Sequence, residues 1–349
     1  MMGKPRKCLL GTLVYIFALL LLLFMVVFVI IPIVFKYSIE IQRSIIFPTW
    51  ATDGDTDFSD TKSFGLKGVR NFYVTVDHKD NVTLGAWHIL PSTVLSNAVD
   101  DQYYNYEEIL ANRNYNIIIY LHGNGGLRSS SLELYTVLRQ YFQIIAIDYR
   151  GYGDSTNKEI TEANIVRDIV NFYKWIQAKT KARIFVWGHS LGTGVSTHTI
   201  SNLKAENVIP SGLVLETPFS TITDVMERHF FVKLISWLPW YRTTMLNPII
   251  YNDFGFESTK YILDVDCPIM ILHAKDDEIV PYDLATKLYN TAIKNRNFTT
   301  QGNITYHLFE AKGLGHMLIY LEPTLPKVIR RFVEVCIDFE NKTHNTTAA

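Results

Sequence analysis

Between Arg183 and Gly192 the chain reads RIFVWGHSLG, an apolar run that breaks at Gly-His-Ser-Leu-Gly and continues in helical spacing to Lys204. A strand that passes into a helix through so tight a turn forces the residue at its apex, Ser190, into a strained backbone conformation. Gly188 and Gly192 are glycine because a Cβ at either position would collide with the turn. His189 lies between Gly188 and Ser190 in the same turn. This geometry lifts the Ser190 hydroxyl above the edge of a sheet, over a helix N-terminus whose partial positive charge favours an oxyanion. Few local patterns limit the possible folds so strongly.

The surrounding sequence has the matching rhythm. Short apolar runs at Ile117–Leu121, Ile144–Ile147, Ile184–Trp187, Leu213–Leu215, Ile269–Leu272 and Ile304–Phe309 alternate with longer segments. Those segments, Leu132–Tyr141, Thr161–Gln177, Leu191–Lys204 and Tyr282–Ile293, have helical apolar spacing, and Leu325–Ile337 closes the series. Unbroken β-branched strands between helices mean a parallel sheet covered on both faces. Upstream, Asn71–Val76 and Val82–Ile89 flank a turn at Asp80-Asn81, which predicts an antiparallel hairpin at one edge. Pro91–Asn114, rich in Asn, Asp and Tyr, reads as a surface insertion. Phe219–Tyr261 breaks the alternation and carries Phe230, Phe231, Trp237, Trp240, Tyr241, Tyr251, Phe254 and Phe256. It packs a small core of its own, or forms a lid over an apolar acyl cleft with Trp237, Trp240 and Tyr241 as lining; the two are compatible.

A serine hydroxyl is a poor nucleophile until a base takes its proton. With this turn the chain order is serine, acid, histidine. His316, in Lys312-Gly313-Leu314-Gly315-His316, follows the last strand and is the candidate base; His307 lies within the strand and His344 in the tail. The acid should follow Ile269–Leu272, where Asp276 and Asp277 both qualify. Asp277 opens Asp-Glu-Ile-Val-Pro, the usual form of such an acid loop, which leaves Asp276 to shape the turn. The acid holds the imidazole tautomer and stabilises the imidazolium. Two backbone N–H groups are needed for the oxyanion. The candidates are Leu191, after the nucleophile, and Asn124 in His122-Gly123-Asn124-Gly125-Gly126, with His122 bracing that loop.

Tyr120–Asn124 (YLHGN), Asp148–Ser155 (DYRGYGDS), Trp187–Val195 (WGHSLGTGV), Leu215–Phe219 (LETPF) and Ile271–Pro281 (ILHAKDDEIVP) carry a wider resemblance. Together they resemble the α/β-hydrolase superfamily, and within it the membrane-anchored lipases of lysophosphatidylserine and monoacylglycerol. The resemblance covers Phe64 to Phe339 and the N-terminal apolar run; DYRGYGDS recurs across the superfamily and speaks to fold alone. It implies a mostly parallel eight-stranded sheet flanked by helices, with a helical cap insertion. It implies Ser190 as nucleophile, Asp277 as acid and His316 as base, in ester hydrolysis through an acyl-enzyme. No metal or organic cofactor is expected. The rivals are an acyl-protein thioesterase using the same residues and an inactive binding module, although the latter would usually have lost a triad member.

From Leu9 to Phe35 no side chain is charged. At about 1.5 Å per residue this run exceeds the roughly 30 Å hydrocarbon core of a bilayer. A cleavable signal peptide is the competing reading, but its apolar region is shorter and ends in small residues. Lys4, Arg6 and Lys7 on the short flank predict a cytoplasmic N-terminus. Asn81, Asn297, Asn303, Asn341 and Asn345 each head an Asn-x-Thr glycosylation signal beyond the run. The expectation is a single-pass protein of the endoplasmic reticulum or cell surface, with its catalytic domain lumenal or extracellular and a lipid substrate. The predicted division is 1–8 cytoplasmic, 9–35 anchor, 36–64 linker and entry segment, 65–340 catalytic with 219–261 as cap or lid, and 341–349 tail. A net charge of −1 gives no bulk attraction for nucleic acid. Of Cys8, Cys267 and Cys336, the last two are either buried thiols or a bridge.

Overall fold

In the computed structural model the described residues are 4–51, 56–95, 104–229, 232 and 234–347. Phe230, Phe231 and much of the Pro91–Asn114 insertion lie outside them, as do the side chains of Cys8, His344 and Asn345. Eight strands form one sheet: β1 (Val69–Asp77), β2 (Val82–Ile89), β3 (Ile117–Leu121), β4 (Gln143–Ile147), β5 (Ile184–His189), β6 (Gly212–Glu216), β7 (Ile269–Ala274) and β8 (Ile304–Phe309). Their order is β1-β2-β4-β3-β5-β6-β7-β8. The β1–β2 hairpin is antiparallel and meets β4 antiparallel; all other pairs are parallel. Every residue of β3 to β7 is buried, which is why those strands read as unbroken apolar runs. The edge strands β1 and β8 keep partly exposed positions.

Trp87 and Trp187 are wholly buried, and each indole N–H has an acceptor. Trp87 donates to the Phe58 carbonyl (3.0 Å) and Trp187 to Glu216 Oε2 (2.7 Å). The 36–64 segment packs against the sheet and against residues 254–256. Phe58 and Phe64 pack on Trp87, while Phe47, also buried, meets Phe254 and Phe256 of the 219–261 segment edge-on. Within 36–64, helix Ile39–Ile46 buries Gln42 and Ile46, and Phe47 follows directly.

Helix Leu325–Thr347 continues ten residues past the apolar pattern that ends at Ile337, so the predicted tail is helical to Thr347. Cys267 and Cys336 are buried free thiols, and burial pushes the Cys267 thiol up to about 12. At the N-terminus, helix Lys4–Met25, a π-helical turn Val26–Ile30 and helix Ile31–Tyr37 run on from one another. The stretch Leu9–Tyr37 spans 29 residues, with a mean hydropathy of 3.3 in an 18-residue window, and is long and apolar enough to cross a membrane.

Candidate active site

Ser190 stands between β5 and helix Leu191–Ala205 with φ 51° and ψ −117°, a conformation L-residues avoid unless the fold imposes it. A Cβ on Gly188 would overlap the Gly192 carbonyl, and one on Gly192 would overlap the carbonyl of Leu121 at the end of β3. The turn is held from its other side, where the Ser190 N–H donates to the Glu216 carbonyl on β6 (2.9 Å).

The loop after β3 comes against this turn. A Cβ on Gly123 would lie 3.1 Å from Ser190 Cβ and 2.9 Å from His189 Nδ1. The N–H groups of Asn124 and Leu191 find no acceptor among the described residues, leaving two donors on the segments that border Ser190. The DYRGYGDS segment, which the sequence ties only to fold, buttresses this loop. Tyr149 OH donates to the His122 carbonyl (2.9 Å), and the His122 ring packs 4.2 Å from that of Tyr149. Burial pushes His122 down to about 4, and its Nδ1–H donates to the Gly123 carbonyl (2.8 Å). His122 is a neutral brace.

After β7, Asp277 accepts three hydrogen bonds: His316 Nδ1–H donates to its Oδ2 (2.7 Å), and the Ile279 and Val280 N–H groups reach Oδ1 at 2.9 Å each. His273 Nε2–H, which donates to the Val280 carbonyl (2.8 Å), lies 3.2 Å from the same Oδ2. Burial alone would raise the pKa of Asp277. The nearby donors of His273 and His316 outweigh it and hold the carboxyl well below the ordinary range. The His316 Nδ1–H therefore points at a fixed carboxylate, leaving Nε2 as the basic nitrogen. Asp276 takes the neighbouring task, accepting the N–H groups of Gly313 (2.6 Å) and Gly315 (3.1 Å) and so fixing the loop that carries His316.

His189 ties the two halves together. Its Nε2–H donates to the His316 carbonyl (3.1 Å), and burial keeps the ring neutral, pushed down to about 4. Ser190, Asp277 and His316 are all nearly buried, and no hydrogen bond joins Ser190 Oγ to His316 among the described residues. Such bonds are often long before substrate arrives. Sequence reasoning missed two of these positioning contacts, from His273 and from His189. A histidine four residues before the acid, on the strand that delivers it, was the available signal for the first.

The candidate lid residues have separate surroundings. Tyr241 is buried with Leu238 and Leu246 in a small satellite core. Trp240 donates to a carbonyl of the N-terminal helix, and Trp237 is 70% exposed. Among the described residues no group of three or more His, Cys, Asp or Glu is arranged to hold a metal.

A strained serine on a strand-to-helix turn, followed in the chain by an acid after β7 and a histidine after β8, defines a serine hydrolase of the α/β-hydrolase fold. A family model described as alpha/beta hydrolase fold matches residues 116–252. The esterase Pf2001 of Pyrococcus furiosus superposes with a TM-score of 0.57 over 82% of this chain and 97% of its own, at 17% identity, a likeness of fold. Sequence similarity is closer to lysophosphatidylserine lipase ABHD12 of Rattus norvegicus, 34% identical over 312 residues, 88% of this chain and 77% of that protein. Protein ABHD12B of Homo sapiens is 32% identical over 267 residues, covering 75% and 72%. The chain belongs to the ABHD12 family of α/β-hydrolases.

Proposed function

We propose that this protein is a membrane-anchored lipid esterase that hydrolyses single-chain acyl esters, lysophospholipids such as lysophosphatidylserine together with monoacylglycerol. The observation that carries the chemistry is the His316–Asp277 pair at 2.7 Å, tied through His189 to the strained turn of Ser190. The relatives' name, lysophosphatidylserine lipase, supports the substrate class. The long apolar N-terminal helix supports an anchor.

Ser190 Oγ attacks the ester carbonyl while His316 Nε2 takes its proton. The Asn124 and Leu191 N–H groups receive the oxyanion, which collapses to the acyl-enzyme as His316 returns the proton to the leaving alcohol. Water, deprotonated by His316, then releases the fatty acid. Asp277 stays ionised throughout and fixes the tautomer. In this reading Lys4, Arg6 and Lys7 keep the N-terminus cytoplasmic, and the catalytic domain lies in the lumen or outside the cell.

A single acyl chain can be buried whole, at about 0.8 kcal/mol per methylene, while its polar head stays in water. A triacylglycerol leaves two further chains exposed. The test is a panel of lysophosphatidylserine, other lysophospholipids, monoacylglycerol, triacylglycerol and an acyl thioester, with Ser190→Ala as control. Single-chain esters should be fastest, and the alanine variant should lose about 10⁴-fold or more. Undiminished turnover by Ser190→Ala would remove the mechanism, and a thioester preference would replace the substrate class.

A further inference from the structure

Phe28 is the middle residue of the π-helical turn Val26–Ile30, and the residue four positions later is Pro32. Proline has no N–H, so the Phe28 carbonyl lacks the donor that an α-helix would supply. Trp240 Nε1 donates to that carbonyl at 3.1 Å. Two polar groups from distant elements satisfy each other; at the edge of a bilayer, either left alone would carry a heavy desolvation penalty.

The bond sits within a packed contact. Phe28 lies against the satellite core of Leu238, Tyr241 and Leu246, and Pro32 and Phe35 are buried. Helix Ile31–Tyr37 packs on the turn Arg242–Leu246. A second clamp follows: Gln42 Nε2 donates to the Phe35 carbonyl (2.7 Å), and Asn252 Nδ2 donates to Gln42 Oε1 (2.6 Å). These contacts tie the outer end of the apolar helix to the cap.

A hydrocarbon core of about 30 Å takes about 20 helical residues. Counted from Leu9, that reaches Phe28. The Trp240 bond therefore marks the boundary of the core, and the remaining turns to Tyr37 run beside the cap through the headgroup layer. The cap segment at that level is apolar: residues 234–251, LISWLPWYRTTMLNPIIY, hold one charged side chain, Arg242. Arg242 lines a polar cavity of about 570 Å³ with Arg228, Asp283 and Lys287. Leu234, Trp237, Ile250 and Tyr251 are exposed. Tryptophan and tyrosine concentrate at the membrane interface.

We propose that the cap is a membrane-docking surface, with Leu234, Trp237, Trp240, Ile250 and Tyr251 lying in the interface of the leaflet next to the catalytic domain. The Phe28 carbonyl, deprived by Pro32 of its i+4 donor and bonded to Trp240, holds it there. The occupant of this surface is the lipid leaflet, because the cap is continuous with the helix that crosses it. The proposal rests on the reading of Leu9–Tyr37 as a membrane span. Its consequence is that substrate reaches the enzyme sideways from the bilayer.

The experiment uses the full chain in phosphatidylcholine vesicles doped with a phosphatidylcholine that carries a diazirine near the carbonyl end of one acyl chain. Irradiation, digestion and mass spectrometry then map the labelled peptides. Label is expected in 9–28 and in 234–251. Trp240→Phe keeps the ring and removes the donor, and Pro32→Ala gives Phe28 a donor of its own. Each should lower the 234–251 label severalfold and leave the 9–28 label unchanged, with turnover of a short soluble ester retained as the check on folding. Label confined to 9–28 overturns the docking surface. A 234–251 label untouched by both variants overturns the bond as its cause. Absence of label from 9–28 overturns the span itself, and the proposal with it.

Discussion

The adjacent carboxylates Asp276 and Asp277 do different work because different donors reach them. Asp277 binds the His316 ring, whereas Asp276 binds the backbone of the loop that carries it. Asp277→Asn presents an amide to the imidazole and favours the wrong tautomer, so kcat/KM on a soluble ester should fall by about 10⁴-fold. Asp276→Asn keeps one acceptor for the loop and should lose no more than about tenfold. The reverse ranking would move the acid by one residue. Glu216 allows a pH test. It is fully buried, and burial pushes its carboxyl up to about 7 against the pull of the Trp187 hydrogen bond. The folded state therefore keeps a proton that the unfolded chain releases between about pH 4 and 7. Its contribution is full at the acid end and is lost as pH rises through that window, by about 1.4 kcal/mol per unit. Glu216→Gln has no proton to lose, so its Tm relative to the wild type should rise between about pH 5 and pH 8. A difference that stays flat would mean that Glu216 folds ionised.

Among the elements, the strand–turn–helix at Ser190 and the loop after β3 form one unit with no spare volume. Gly192→Ala would drive a Cβ into the carbonyls of Leu121 and His122, backbone atoms that cannot rotate away. The turn must then draw back from the loop carrying Asn124, separating the two oxyanion donors. Activity should fall by about 10²-fold or more, the scale of losing one such donor, with a lower Tm by calorimetry. Near-normal activity would mean that the loop yields and that Asn124 is not a donor. This unit was legible in the sequence because glycine spacing and an unbroken apolar strand are local consequences of close approach and two-sided burial. The cap and the 36–64 segment were not. Phe47 is buried against Phe254 and Phe256, residues far along the chain, and nothing beside Phe47 in sequence announces that partner.

For the whole molecule, orientation across the membrane is the consequence to test. Asn81, Asn297, Asn303 and Asn341 are exposed on the domain that follows the apolar helix. Protein made in eukaryotic cells should shift in electrophoretic mobility when N-glycans are removed. An unshifted band, with the domain cut by protease added outside sealed microsomes, would place it in the cytosol instead. By itself the sequence determined the strained turn at Ser190, the order of acid and histidine behind it, the sheet that carries them and the apolar helix. Each is written in contiguous residues, where spacing, glycine and burial leave a periodic trace. Tertiary structure alone decided that His273 shares Asp277, that His189 grips the His316 carbonyl 127 residues away, and that Trp240 completes a helix 212 residues before it. Those pairings depend on which surfaces meet when the chain closes on itself, and a side chain's choice of partner across space leaves no pattern among its neighbours in sequence.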